Sequence, residues 1–475
     1  MVVEFAIMTN SKNKLIKNTI IYAIGDIIPK IISFLIFPVM TTYLVPSDYG
    51  IINYVNTLNA FMIIVGVLCL NTYYLVYYYK QNNEEEKRKL LGNLSIFILG
   101  LNLIISVVIC VVGCYSPFFL SENIPFYPYI FLGVISNFFN IITILPTALY
   151  RLKENPLPLT ILNVLKSISI AILNILMVVV FKESALGVLL STTLVNVVFG
   201  ILFLFITIRN SSLYFNFSTI KVALKFSLPL LPGSLSYYLM NMSDRILIER
   251  YLDLSQLGIY STASTLAMII QMVSYGAYKA IEPYFFKEID SSNFNKKFNS
   301  VRDIYIGSLL VVTAIVAIFS QDFFKIFANE NYQTVYLYVP MVQIGVLFAS
   351  CSTMYSTVMT AKGKTNQNSL VAIIGGLCSL ICNLLLLPRV GLYGASISSA
   401  LSFLIILSLS VAYSGMKDDM MKLIWAGLVT ELITILTVYV LDINSLAMSV
   451  IVRFSIICVI IFSIIRILKI NFKKL

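Results

Sequence analysis

The stretch Tyr251–Leu266, YLDLSQLGIYSTASTL, decides the architecture, because the chain has already spelled it once: Tyr43–Leu58 reads YLVPSDYGIINYVNTL. Overlaid, Tyr43/Tyr251, Leu44/Leu252, Ser47/Ser255, Gly50/Gly258, Ile51/Ile259, Thr57/Thr265 and Leu58/Leu266 coincide at an offset of 208 residues. The same offset lays Gly25 on Gly233, and a drift of one lays Lys153 on Lys362 and Asn174 on Asn383. A repeat this long in an apolar chain predicts two homologous lobes in a membrane, with a site where they meet.

Working outward, hydrophobic residues make up 59% of the 475 and charged residues 12%, and the mean hydropathy is +0.90. Soluble domains carry about 25% charged residues, so this is an integral membrane protein. Lys12, Lys14 and Lys17 lead into the first long apolar run with no small-residue cleavage pattern, so no cleavable leader is expected. The seven Cys lie in apolar runs and read as small hydrophobes rather than disulfides or metal ligands. There is no His, which removes the commonest metal ligand and general base and argues against an enzyme.

Apolar runs long enough to cross a bilayer number roughly fourteen, all without the alternation of a barrel. The second is expected over 49–79, the seventh over 223–250, and the last two over 421–441 and 445–468. With the N-terminus in the cytoplasm, twenty-four Lys and Arg fall in cytoplasmic segments against three outside, Lys182, Lys325 and Arg389. The net charge of +11 is thus a topology signal and not a nucleic-acid patch, and both termini are cytoplasmic. The expected fold is all-α: a six-helix lobe over 12–210, a second over 221–415 in parallel pseudo-twofold repeat, and an extra helix pair with a basic tail over 421–475. No loop is long enough for an extramembrane catalytic domain.

Ionisable residues inside spans point to function. The first span carries Asp26 and Lys30 and the fifth Lys166, beside Thr160, Asn163, Ser167 and Asn174. The seventh carries Asp244, Arg245, Glu249 and Arg250. The eighth carries Lys279 and Glu282 on the stripe Ser264, Gln271, Tyr275. Turned inward, these faces would line a wet cavity between lobes whose deep cations Lys30, Lys166, Arg245 and Lys279 suit an anionic, phosphate-bearing guest. Asp26, Asp244 and Glu282 would offset that charge, and could bind a coupling proton or sodium ion; no resident cofactor or metal is expected. The competing reading is that Asp26–Lys30 and Lys279–Glu282 are intrahelical pairs that ease insertion, and that Lys166 snorkels to the interface. Arg245 has only Asp244 beside it, and neighbours in sequence do not share a helix face, which makes Arg245 the strongest candidate. Pro29 and Pro38 in the first span match Pro229 and Pro232-Gly233 in the seventh, and paired interruptions of this kind are expected hinges. Tyr73, Tyr74, Tyr77, Tyr78 and Tyr79 beside Lys80 read as an interface belt. Glu431 and Arg453, in the extra pair, either face each other or support a partner.

The segments IGDIIPKIISFLIFPVMTTYLVPSDYGIINY, NMSDRILIERYLDLSQLGIYSTASTLA and PRVGLYGASISSALS resemble signatures of the polysaccharide-biosynthesis transporters. These are the O-antigen and capsule repeat-unit flippase branch of the multidrug/oligosaccharidyl-lipid/polysaccharide exporter superfamily. The resemblance covers nearly the whole chain. It implies a bacterial inner-membrane flippase for undecaprenyl-pyrophosphate-linked oligosaccharide, working by alternating access beside a polysaccharide polymerase and chain-length machinery. It also implies a cation-lined cavity, for which Arg245, Lys30, Lys166 and Lys279 are the residues available. Many members carry a basic residue late in the second span, where this chain offers only Lys80. A cation-coupled drug exporter is the alternative within the superfamily, disfavoured by the deep Lys and Arg; a membrane polymerase lacks its usual large loop.

Overall fold

The computed structural model describes residues 21–468 except 22–23, 26, 117–119, 213, 417–419 and 441–445. Among these the chain is helical throughout, with no strand. In hydrocarbon every backbone N–H and C=O must be satisfied within its own segment, which a helix alone does for a single crossing.

The helices in order are α1 (Ile27–Tyr43), α2 (Pro46–Val67), α3 (Leu70–Tyr77), α4 (Glu84–Tyr115), α5 (Phe131–Ile142), α6 (Ile144–Leu152), α7 (Pro156–Ile175), α8 (Ala185–Asn210), α9 (Phe217–Ser227), α10 (Leu231–Tyr251), α11 (Leu254–Glu288), α12 (Phe294–Phe327), α13 (Val339–Ala361), α14 (Thr365–Val390), α15 (Leu392–Ser414), α16 (Met420–Val440) and α17 (Leu446–Leu468). Ten segments are long and apolar enough to span a membrane, and shorter apolar helices run over 27–43, 427–440 and 448–464. The expected seventh span, α9 with α10, is not among these apolar segments.

Two spans differ from their expected continuous form. The second breaks at Leu68 and Cys69, which sit at φ 49° and 58° and separate α2 from α3. A left-handed residue cannot continue a right-handed helix. The seventh breaks into α9, a tight turn over Leu228–Leu230 that carries Pro229, and α10, which opens Leu231-Pro232-Gly233. The first span, by contrast, remains helical through Pro29 and Pro38. Around these prolines Ser33 Oγ donates to Pro29 O and Thr42 Oγ1 to Pro38 O.

The chain forms two compact units, residues 1–44 with 54–234 and residues 45–53 with 235–475. In the first, Leu70, Tyr74, Leu91, Leu94, Leu145 and Leu149 belong to the core around α3, α4 and α6. Four of the five tyrosines expected as an interface belt, Tyr73, Tyr74, Tyr77 and Tyr78, are part of this packing. Tyr73, Tyr74 and Tyr78 are buried, Tyr73 stacks on Tyr77 at 4.2 Å, and Tyr79 alone of the three last tyrosines is largely exposed, donating to Leu152 O. Lys80 lies 4.3 Å over the Tyr77 ring. Asn93 and the backbone of Asn216 exchange two hydrogen bonds, stitching the segment before α9 to α4.

In the second unit α13 packs on α15 through small residues: a Cβ on Gly345 would stand 2.5 Å from Ser399 Oγ. Buried Ser396, Ser398 and Ser402 return their hydroxyls to carbonyls four residues back. Small side chains let apolar helices approach without leaving donors unpaired. The lysines matched by the repeat do matching work in each unit. Lys153 Nζ donates to Asn210 Oδ1 at the end of α8, and Lys362 Nζ to Ser414 O at the end of α15.

Candidate functional site

The second unit gathers most of the predicted charges onto α10 and α11. In α10, Arg245 and Asp244 are both buried. The expectation that Arg245 stands apart from its neighbour is overturned: its guanidinium curls back so that Nη1 reaches Asp244 Oδ1 at 3.3 Å and donates to Asn241 O at 2.5 Å. Helix-face arguments use Cβ directions, and a five-atom arm escapes them. Tyr260 of α11, fully enclosed, donates to Asp244 Oδ2 at 2.5 Å. The sequence reading passed over Tyr260; its signal is that the first copy carries Ile52 there. Asp244, Arg245 and Tyr260 thus form one buried charged knot in which each partner satisfies another, the condition under which charges persist in an apolar interior.

Further along α11 runs a polar face. Ser274 Oγ and Tyr305 Oη of α12 lie 2.6 Å apart, and Tyr305 also donates to Ser350 O of α13. Thr357 of α13 donates to Tyr278 Oη, which donates to Glu282 Oε1 at 2.8 Å. Tyr237 of α10 and Tyr275 of α11 remain about half exposed, 52% and 47%. Lys279, on the same helix, is exposed. Exposed phenol rings, an amide, hydroxyls and an ammonium share this region, the inventory that binds sugars by stacking and hydrogen bonding and phosphates by charge.

In the first unit, Lys166 of α7 reaches into the bundle rather than to an interface. Its Nζ donates to Asn140 Oδ1 of α5 at 3.0 Å. Around it the amides are sparsely paired: Asn196 donates to Ser136 Oγ, while both side-chain polar atoms of buried Asn137 have no partner. Asn137 and Asn140 escaped the sequence reading, since an Asn in an apolar run carries no charge to flag it. Lys30 is exposed on α1. Asp26 lies outside the described residues. Of the expected hinge residues, Pro229 falls in the break of the seventh span, and Pro232 and Gly233 in the first turn of α10 that follows it. Pro29 and Pro38 sit within unbroken helix.

Comparison with known proteins agrees with this picture. The family described as polysaccharide biosynthesis protein matches residues 15–288, and the MatE family matches residues 229–386. A Haemophilus influenzae protein, described only as an uncharacterized membrane protein, is 23% identical over 373 residues, 76% of this chain and 87% of its own. Among solved structures, the lipid II flippase MurJ in an inward closed conformation superposes with a TM-score of 0.69 at 14% identity, covering 94% of this chain and 98% of that one. An inward-facing MATE transporter of the MOP superfamily gives 0.65 at 12% identity, covering 83% and 97%. At such identities the likeness is one of fold.

Proposed function

The chain belongs to the polysaccharide biosynthesis protein family, a transporter rather than an enzyme, and on that premise we propose that it flips undecaprenyl-pyrophosphate-linked oligosaccharide from the cytoplasmic to the outer leaflet of a bacterial inner membrane. The observation that carries this reading is the polar face of α10 and α11, where Tyr237, Tyr275, Gln271 and Lys279 stand, on helices of which α11 is apolar enough to span a membrane. Exposed Lys30 and Lys279 would meet the pyrophosphate as compact charges. Lys166, held by Asn140, would supply a third. Arg245, already neutralised by Asp244, which Tyr260 ties to α11, would join the anion only by leaving that knot. Tyr237 and Tyr275 offer rings to the glycan, and the lipid tail stays in the bilayer. Glu282, bonded to Tyr278, together with Asp244 and Asp26, would bind a coupling proton or sodium ion; both termini would lie in the cytoplasm. A polysaccharide polymerase with its chain-length machinery would take the product.

Reconstituted protein should expose a lipid-linked oligosaccharide to a membrane-impermeant glycosidase outside the vesicle. Lys279→Ala should slow this severalfold at unchanged folding, and cells lacking the protein should lose surface polysaccharide. The MatE match over 229–386 supports a second reading, a cation-coupled drug exporter. Drug resistance on expression with intact surface glycan would decide for it.

A further inference from the structure

The extra helix pair carries ionisable side chains that the transport reading does not use. Arg453 of α17, 1% exposed, is bound to α12: Nη1 donates to Ile318 O and to Asp322 Oδ2, each at 2.8 Å, and Nη2 donates to Gln321 Oε1. Ser449 also donates to Asp322. Arg453 and Asp322 therefore balance each other, and the pairing anchors α17.

Glu431 of α16 has no such partner. It is 3% exposed. Thr434 donates to its Oε2 at 3.2 Å, and its Oε1 has no hydrogen bond. Gln343 of α13 is 0% exposed, and neither its Oε1 nor its Nε2 is bonded. Two contacts place these side chains opposite each other. At one end Tyr439 Oη of α16 donates to Leu337 O just before α13. At the other, a Cβ on Gly427 of α16 would lie 3.9 Å from Leu347 Cδ2 of α13 and 4.0 Å from Leu310 Cδ2 of α12. The helices are therefore antiparallel. Glu431 stands one turn beyond Gly427, and Gln343 one turn before Leu347, on the same faces and at the same level. From α12, Ala314 lies one turn beyond Leu310 and is fully buried.

A buried carboxyl oxygen and a buried carboxamide left unbonded at one level each carry a desolvation penalty, which is relieved when they bond to each other. An amide meets either state of an acid. Its oxygen accepts from the carboxylic acid, and its N–H donates to the carboxylate, after a half-turn of the amide. We propose that Glu431 and Gln343 form a buried proton-binding site where the extra helix pair packs on α13 within the second compact unit, with the proton as its ligand and Gln343 as the switchable partner. The buried ionisable groups of the neighbouring helices, Arg453 on α17 and Asp322 on α12, are paired with each other and not with Glu431. α13 contributes only the neutral Gln343 here. Protonating Glu431 leaves the site neutral; releasing the proton leaves one buried negative charge there.

The test is infrared difference spectroscopy on the whole protein in lipid. A protonated-carboxyl C=O band, shifted by D2O, should be present at low pH and disappear as pH rises. It should be absent from Glu431→Gln and move to higher frequency in Gln343→Leu, which removes the acceptor. Both variants are near-isosteric and should fold. A thermal unfolding curve confirms that, and if Gln343→Leu fails it, Gln343→Met replaces it. A Glu431 band unchanged at every pH, no such band at any pH, or a band untouched by the Gln343 substitution would each overturn the proposal.

Discussion

The two copies of the repeated phrase begin alike and then diverge in what they bury. Each starts a helix with half of a capping box. In the second copy Asp253, ahead of the helix, accepts from the N–H of Gln256 at 2.7 Å. In the first, Asp48, three places in, accepts from the N–H of Val45 at 3.0 Å. Positions 45 and 253 correspond, as do 48 and 256, so the same N-terminus is satisfied from opposite ends. The glycines are reciprocal too. A Cβ on Gly50 would stand 2.0 Å from Leu254 O, and one on Gly258 only 1.7 Å from Pro46 O. Since Pro46 corresponds to Leu254, and residues 45–53 pack in the second compact unit, the repeat meets itself there across a local twofold. The interior differs: where the second copy buries Asp244, Arg245 and Tyr260, the first has Ile36, Phe37 and Ile52. The helix starts were kept in duplicate, and the chemistry was placed in one copy.

Breaking the charged knot should cost most. Asp244→Ala leaves Arg245 buried without its carboxylate, and thermal unfolding should show a loss of roughly 3–5 kcal/mol. Importing the first copy's residues together, Asp244→Ile with Arg245→Phe and Tyr260→Ile, should restore most of that stability while transport falls. If the triple variant is no more stable than the single, the knot is not the self-contained unit described. The glycine crossing comes next. Gly258→Ala and Gly50→Ala should each cost about 1–3 kcal/mol by forcing the helix starts apart. The double variant should cost less than the two singles added, because one separation relieves both clashes. Full additivity would mean that the two sites are independent. Smallest are the caps: Asp253→Ala should cost about 1 kcal/mol, and Asp48→Ala no more than that. A much larger effect at Asp48 would show that it does more than cap.

Much of the fold was legible. Periodic apolar runs marked the helical spans, because bilayer thickness and backbone satisfaction leave few alternatives. The break at Leu68–Cys69 was not, since neither residue is a usual left-handed residue and only the packing around it makes that conformation worthwhile. Nor was the burial of Tyr73, Tyr74 and Tyr78. A tyrosine-rich helix end looks the same in sequence whether it meets headgroups or, as here, Phe226. At the site, charges announced themselves, but their partners did not.

By itself the sequence determined that this protein spans a membrane as a helical duplication and that its ionisable residues concentrate in a few spans. Hydropathy and periodicity are properties of one helix at a time, and those can be read from one dimension. Only the tertiary structure decided that Arg245 turns back on Asp244 beneath Tyr260, that Lys166 reaches Asn140, and that Glu431 and Gln343 stand level. Each of these is a meeting of side chains from helices distant in the chain or of a long arm with its own helix, and flexible reach and neighbour placement leave no mark in residue spacing.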